Sequence, residues 1–328
     1  MAKLVSIIIP CFNAEKWLEE AIESCFEQSY TPIEVIVIND GSTDGSLDII
    51  KSYNGRLTWE TGPNRGGNYA RNRGFELSKG EYIQYLDADD YLLAEKIERQ
   101  VNFLEKTGAD IVYGDVNYQY HLPDGKIVEE NANILGVSGN CKDVLASLLA
   151  YGCLPPIAYL FKKSTVVNSV KWDETLKCGQ DRDFLISLLI NGAKIVYQPG
   201  SYSIYRKYGN VTVSTSNKAL LVESFCRILA KAEAQLIQAG KLEAKYQKAI
   251  AQAYYSMIKE YSKNINFGSY CRLISQSILM YVKFLVTETK RAHPILKKDL
   301  TPPNSSLQGK EKKERKKEIS PSPRGRGG

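Results

Sequence analysis

Two β-branched runs, Val5-Ser6-Ile7-Ile8-Ile9 and Glu34-Val35-Ile36-Val37-Ile38, separated by a stretch of helical periodicity, constrain this chain most. Neither run alternates apolar with polar residues, so each predicts a strand buried on both faces. The segment between them carries Trp17, Leu18, Ala21, Ile22, Cys25 and Phe26 at three-and-four spacing, the signature of a helix with one apolar face. Asn13 stands where an N-cap for that helix is expected. After Ile38 a polar loop, Asn39-Asp40-Gly41-Ser42-Thr43-Asp44-Gly45, leads into a second helix through Ile50. A β-α-β-α opening of this kind predicts an α/β fold on a parallel sheet.

A short strand near Leu57 to Glu60, a turn over Gly62 to Gly67, a helix through Leu77 and a strand leading to Asp87 continue the pattern. From Ile111 it becomes mixed. A strand to about Tyr120, a turn at Pro123-Asp124-Gly125 and a return strand at Ile127-Val128 precede a helix near Asp143 to Ala150. The Pro155-Pro156 segment and a helix from about Asp181 to Ile190 then complete a domain ending near Val213. Beyond Lys218, helix-forming stretches run to about Thr289 with a break at Asn264 to Gly268. In open α/β sheets the ligand sits beyond the carboxyl ends of the strands, and the polar clusters after Ile9, Ile38 and Leu86 all lie there. Three loops are expected to converge on one crevice.

The run Tyr85-Leu86-Asp87-Ala88-Asp89-Asp90 ends an apolar strand in three carboxylates. Crowded carboxylates repel one another and call for a cation to offset the repulsion. Asp87 and Asp89 sit on a strand-to-loop bend, so both can face the crevice. Hard oxygen donors suit Mn²⁺ or Mg²⁺, with Asp89 the expected ligand and Asp87 a second. A cation held there neutralises charge growing on a diphosphate leaving group. The competing expectation is a cap cluster for the helix near Ala94 to Lys106.

Four motifs in order, Ile9-Pro10-Cys11-Phe12-Asn13-Ala14-Glu15, Asn39-Asp40-Gly41-Ser42-Thr43-Asp44, Asn64-Arg65-Gly66 with Ala70-Arg71-Asn72-Arg73-Gly74, and Leu86-Asp87-Ala88-Asp89-Asp90, resemble the family 2 glycosyltransferases. The resemblance covers roughly the first hundred residues and extends more loosely to about Ser214. It implies a GT-A fold, Rossmann-like with a mostly parallel mixed sheet flanked by helices. It also implies a nucleotide-diphosphate sugar donor, a divalent cation and inversion at the anomeric carbon. Carried onto matching positions, Pro10, Asn13 and Glu15 would line the base pocket and Asp40 would accept a hydrogen bond from the base. Arg71 would lie near the diphosphate or the Asp cluster, and Asp87 with Ala88 would contact the nucleotide sugar.

Inversion needs a general base opposite the leaving group. The family places it as the Asp of a Glu-Asp pair, and the matching stretch Cys178-Gly179-Gln180-Asp181-Arg182-Asp183 makes Asp181 the expected catalytic residue, with Gln180 in place of the Glu. Both Asp181 and Asp183 would also suit a helix N-terminus by the dipole alone. Tyr205-Arg206-Lys207-Tyr208 resembles a family stretch reading Tyr-Arg-x-His, with Tyr208 where the His would stand. Arg206 and Lys207 are expected to supply positive charge instead, whereas His121 and His293 read as surface residues.

Three segments follow: 1–214 as the GT-A catalytic domain, 215–292 as a helical C-terminal region and 293–328 as a disordered basic tail. The net charge of +6 is misleading, because residues 290–328 hold twelve Lys or Arg against four Asp or Glu, leaving the body near −2. No nucleic-acid footprint lies outside the tail. Seven scattered cysteines without a Cys-x-x-Cys pair fit a reduced, cytoplasmic setting, and Met1-Ala2-Lys3 runs directly into a strand with no room for a signal peptide. The uncharged run Leu273 to Val282 is too short to span a bilayer. A helix over Tyr270 to Val286 with the basic tail beside it leaves two readings, a solvated end or a peripheral contact with the inner face of an anionic membrane.

The expected activity is transfer of a sugar, from a UDP-sugar by preference, to a glycan, lipid-linked or other hydroxyl acceptor in cell-surface glycan or polysaccharide synthesis. A non-catalytic sugar-nucleotide-binding protein and a sugar-phosphate nucleotidyltransferase are the alternatives. The latter calls for a Gly-rich, Lys or Arg-bearing loop after the first strand, where this chain has Pro10-Cys11-Phe12-Asn13.

Overall fold

A computed structural model describes residues 2–131, 141–167, 171–208, 217–261 and 267–292. Its first half is the expected parallel unit. Strands β1 (Val5–Cys11), β2 (Ile33–Asn39), β3 (Thr58–Thr61) and β4 (Tyr82–Tyr85) lie parallel in the spatial order β3-β2-β1-β4. They are linked by α1 (Leu18–Phe26), α2 (Ser46–Ser52) and α3 (Gly67–Leu77). Val5, Ile7, Ile8 and Ile9 are fully buried, as a strand covered on both faces requires. Strand β1 continues through Pro10 to Cys11 rather than ending at Ile9. Its pairing with β4 stops at Ile8, so Pro10 has no β4 partner that would need its missing N–H.

Mixed pairing follows, as the pattern from Ile111 predicts. The elements in chain order are β5 (Tyr91–Leu92), α4 (Lys96–Thr107), β6 (Ile111–His121), β7 (Ile127–Asn131), α5 (Val144–Ala150), a 3-10 turn (Pro156–Ala158), β8 (Tyr159–Lys162), α6 (Lys163–Val167), α7 (Gln180–Ile190) and β9 (Ile195–Tyr208). The sheet runs on as β4-β8-β6-β9-β5, with β7 hairpinned onto β6. Strand β8 is antiparallel to both β4 and β6, and β9 is parallel to β6 along most of its length. This register carries Arg206 and Tyr208, at the end of β9, to the same end of the sheet as the loop after β4.

Helices α8 (Lys218–Gln238), α9 (Ala244–Tyr261) and α10 (Phe267–Ala292) complete the described chain. Residues to Leu285 form one compact unit and those from Val286 a second. Within the first, Val222, Ile228, Leu229, Ile250, Met257, Leu273 and Met280 join the same hydrophobic cluster as the sheet. The apolar spacing after Lys218 is therefore core packing. On α10 the inner face buries Leu273 and Met280, while Ile278, Tyr281, Val282 and Leu285 form an outward apolar stripe at i, i+3, i+4, i+7. No helix among the described residues is long and apolar enough to cross a membrane. The expected domain end near Val213, most of the expected break at 264–268 and the basic tail lie outside the described residues.

Two local expectations are corrected. Asn13 does not cap α1, whose N-cap is Trp17 without a side-chain cap bond. With a left-handed φ of 51°, Asn13 instead accepts a hydrogen bond on Oδ1 from the Thr43 N–H at 2.8 Å, tying the loop after β1 to the loop after β2. The carboxylate cluster does not cap the following helix either, because α4 starts after Glu95 and Asp87 to Asp90 lie a β5 strand earlier.

Candidate active site

A cleft of about 710 Å³ opens at the carboxyl ends of β1, β2 and β4. The loop after β1 lines it with Asn13, β2 delivers Asp40, the α3 segment brings Arg65 to Arg71, and the loop after β4 brings Asp87 to Asp89. Residues 174–181 and 205–208 close the far side. Its size suits a nucleotide-sized ligand. The three predicted loops do converge, and two more segments join them.

At the floor, Asp87 Oδ1 accepts a hydrogen bond from Arg71 Nη2 at 2.6 Å, and the guanidinium lies 4.8 Å from the Trp172 ring. Burial works against the Arg71 charge, but Asp87 and Asp181 more than offset it and hold its pKa above the ordinary value. Asp89 is held from β9: the Tyr208 hydroxyl donates to its Oδ2 at 2.9 Å, and Arg206 Nη1 donates to its backbone carbonyl at 3.0 Å. Burial and the neighbouring Asp87 raise the Asp89 pKa. Asp90 is buried, with Oδ1 accepting from the Arg206 N–H at 2.9 Å and Oδ2 left without a hydrogen-bond partner. Burial first, then Asp89 and Asp87, push its pKa well above the carboxylate range. Asp89 and Asp90 are thus disfavoured in their charged forms, the condition that a bound cation relieves.

Among the described residues no group of three or more His, Cys, Asp or Glu is arranged to hold a metal ion. The donor set present is of the kind Mg²⁺ and Mn²⁺ take with a substrate: one or two hard carboxylates, the other positions going to water and phosphate oxygens. Asp89 and Asp87, both lining the cleft, fit that set.

The stretch Gln180-Asp181-Arg182-Asp183 sends each side chain to a different task. Gln180 donates to the Lys177 carbonyl at 3.1 Å. Arg182 is buried and gives its Nε and Nη2 protons to the Leu148 and Leu149 carbonyls at 2.6 Å each, capping the end of α5. Asp183 turns to Lys231 of α8 at 2.7 Å. Asp181 lines the cleft beside Gln180 and is the one carboxylate of the stretch that does so. Burial raises its pKa to about 6, with Arg71 pulling it down and Asp87 pushing it up. A carboxylate poised there takes a proton more readily than an ordinary one while remaining ionised near neutral pH.

Gly179 makes the turn into α7 with φ of 71°, and a Cβ on it would meet Phe225 Cε1 at 2.7 Å and Ile228 Cδ1 at 2.9 Å. Helix α8 therefore packs directly beneath the Asp181 turn. Gly179→Ala is expected to cost about 1–3 kcal/mol of stability through the left-handed backbone and the close contact. Chemical denaturation checks this, and an unchanged midpoint would show that the turn relaxes freely.

Asp40 is buried, and its two oxygens accept the Arg65 and Gly66 N–H groups at 2.8 and 2.7 Å. It thereby shapes the loop opposite while lining the cleft. Pro10, Asn13, Arg71 and Ala88 also line it, but Glu15 is not among the lining residues: its Oε2 accepts the Gly45 N–H at 2.6 Å. Arg206 lines the cleft, and its positive charge acts on the neighbouring Asp89 and Asp90. Its guanidinium is buried between Trp17 and Tyr91, 4.6 and 4.5 Å from the ring centres, and pairs with Glu20 at 2.5 Å. Lys207 Nζ lies 3.8 Å from the Tyr118 ring centre, and burial lowers its pKa. His121 packs edge-on against Trp17 at 4.9 Å, outside the cleft. None of the seven cysteines is in a disulfide.

Sequence reasoning missed Trp172, Glu174, Leu221 and Phe225. The Asn72 side chain is the local signal for the first two: it bonds Trp172 at both N–H and carbonyl and reaches Glu174 Oε1 at 3.0 Å, pinning that loop over the cleft. Leu221 and Phe225 come from α8, whose spacing showed an apolar face but not what it covers.

An open α/β sheet with a carboxylate-lined cleft at its switch between parallel and mixed halves defines the GT-A class of glycosyltransferase folds. Residues 6–133 match the family described as Glycosyl transferase family 2. An uncharacterized glycosyltransferase of Rickettsia typhi is 35% identical over 199 residues, 57% of this chain and 58% of that protein. The poly(ribitol-phosphate) beta-N-acetylglucosaminyltransferase TarP of Staphylococcus aureus is 30% identical over 199 residues, 58% of each. The chain spans roughly half of the relatives it matches, from 48% to 58% for the Haemophilus influenzae and Rickettsia typhi proteins. Among solved structures, S. aureus TarS residues 1-349 in complex with UDP-GlcNAc superposes with a TM-score of 0.66 at 19% identity, covering 85% of this chain and 81% of that one. The mannosyltransferase PcManGT of Pyrobaculum calidifontis, solved with GDP-Man and Mn2+, gives 0.53 at 14% identity over 90% and 88%. These likenesses show the fold.

Proposed function

We propose that the chain is an inverting, metal-dependent glycosyltransferase that moves a sugar from a nucleotide-diphosphate donor, by preference a UDP-sugar, to a hydroxyl acceptor in polysaccharide assembly. The observation that carries the proposal is the convergence of Asp181, Arg71, Asp87 and Asp89 from separate segments on one cleft. Asp181 accepts the acceptor hydroxyl proton. The freed oxygen then attacks the anomeric carbon on the face opposite the diphosphate, whose bond to that carbon breaks with the electron pair leaving on phosphate oxygen. Arg71 sits where that charge appears and holds Asp87 in place. Asp40 and Asn13 shape the wall for the base. A divalent cation bound by Asp89 and Asp87 supplies Lewis-acid neutralisation of the leaving diphosphate. The UDP-GlcNAc complex of TarS and the named activity of TarP support the donor class and a polymer acceptor.

The test is calorimetric titration of UDP-, dTDP- and GDP-sugars with Mn²⁺ or Mg²⁺. One preferred base is expected. Failure of every donor to bind would remove the reading, and binding without turnover would favour a non-catalytic sugar-nucleotide-binding protein.

A peripheral membrane contact belongs to the same proposal. The outward stripe of Ile278, Tyr281, Val282 and Leu285 precedes a sequence whose residues 290–328 carry twelve Lys or Arg against four Asp or Glu. Flotation of the full chain with anionic vesicles is expected and should weaken on removal of residues 291–328; equal flotation of both forms would exclude the tail.

A further inference from the structure

Behind the proposed cation ligand lies a second layer built by β9. Tyr208 and Arg206 are two residues apart on this strand, so they project to the same face. Tyr208 Oη donates to Asp89 Oδ2 at 2.9 Å. Arg206 donates its main-chain N–H to Asp90 Oδ1 at 2.9 Å and its Nη1 proton to the Asp89 carbonyl at 3.0 Å. The guanidinium is itself held: Arg206 is 4% exposed, pairs with Glu20 Oε2 at 2.5 Å and lies against the Trp17 and Tyr91 rings. Trp17 also touches the Tyr208 ring, 5.6 Å between centroids. Strand β9 cannot slide, because it is registered on β6 from Ile111 to His121, with Arg206 opposite Gln119 and Tyr208 opposite His121.

We infer that Arg206 and Tyr208 are positioning residues for Asp89, a clamp that fixes the main chain and one oxygen of this carboxylate so that it can hold a hard divalent cation. The inference rests on the cation reading above. Its physical basis is the difficulty of binding such an ion through one or two side chains. An ion of this kind demands near-ideal geometry, and a carboxylate on a loop beside two others would turn away from its neighbours unless held. A carboxylate has about four lone-pair sites. One hydroxyl donating to Oδ2 orients Asp89 and still leaves sites for the ion, which is the role that hydrogen-bonded outer partners play at metal centres. Tyr208, standing where the family stretch has His, thus acts on the carboxylate rather than on the ion.

The experiment is Mn²⁺ titration of the full chain, without nucleotide, followed by the paramagnetic resonance signal of the free ion. Tyr208→Phe removes one hydroxyl from a half-exposed side chain and is expected to fold normally. Its Mn²⁺ affinity should fall about tenfold or more, the size of effect that outer-layer substitutions produce, while UDP binding without metal stays unchanged. Arg206 is buried, so Glu20→Gln, at the exposed end of its ion pair, replaces a risky Arg substitution and should weaken Mn²⁺ several-fold. If wild type binds Mn²⁺ and Tyr208→Phe binds it as tightly or more tightly, the clamp is overturned while the cation reading stands. Equal losses of Mn²⁺ and metal-free UDP binding would make Tyr208 a ligand contact and also overturn it. A wild type that takes up no Mn²⁺ either alone or with UDP bound removes the cation reading and the clamp with it.

Discussion

Asp181→Asn is expected to lower turnover at least about a hundredfold, roughly 2.7 kcal/mol in the barrier, while the protein stays folded. Asparagine keeps the shape of the side chain and cannot accept the acceptor proton. Stability should not suffer. Asp181 has a folded pKa raised to about 6 by burial, with Arg71 opposing and Asp87 adding to it. A raised carboxyl pKa means that the charged form is the disfavoured one: the stability this group contributes is full below the ordinary carboxylate pKa and is lost as pH rises through about 6. Removing the charge at neutral pH therefore leaves the fold as stable or slightly more so. The same pKa sets the wild-type profile: turnover should fall about tenfold per pH unit below about 6 and level off above it. Steady-state rates across this window check both statements. Retained activity in Asp181→Asn with an unchanged acid limb would place the base elsewhere.

Asp89→Ala is the second large effect, again at least about a hundredfold in turnover, with a different signature. The acid limb should remain, because Asp181 is intact, whereas Mn²⁺ dependence should disappear. The Asp89 pKa is raised by burial and by Asp87, so its charge too weighs against the fold once pH exceeds the folded value. Thermal unfolding should show Asp89→Ala at least as stable as wild type at neutral pH. A variant both inactive and poorly folded would mean that Asp89 is a structural residue held by Tyr208 and Arg206 for packing alone.

The parallel half of the fold was legible because its signals are local. Val5 to Ile9 and Glu34 to Ile38 read as doubly buried strands, and the loops after them are short, so the polar clusters could only fall at one end of the sheet. The site followed as far as residues lie in those loops. Asp181 was reached only through the family resemblance, since a carboxylate at a helix start has an equally good local reason to be there. What stayed hidden depends on long-range register. That Arg206 turns to Glu20 and two aromatic rings, and that Tyr208 reaches Asp89, are set by β9 aligning with β6 across some 85 residues of chain. Asn13 misled for the opposite reason: an Asn before a helical pattern resembles a cap, but its bond to Thr43 lies on a different loop. Nothing local in α8 revealed that Phe225 covers Gly179.

Donor hydrolysis without acceptor is the most direct measurement, followed by proton resonance that resolves the anomeric form of the sugar first released. Slow cleavage of one nucleotide sugar, dependent on Mn²⁺ or Mg²⁺, lost in Asp89→Ala and yielding the inverted anomer, is the expected result. Cleavage that persists in Asp89→Ala or without divalent cation, or release of the retained anomer, would contradict the assignment of Asp89 and Asp181 to one inverting, metal-dependent transfer.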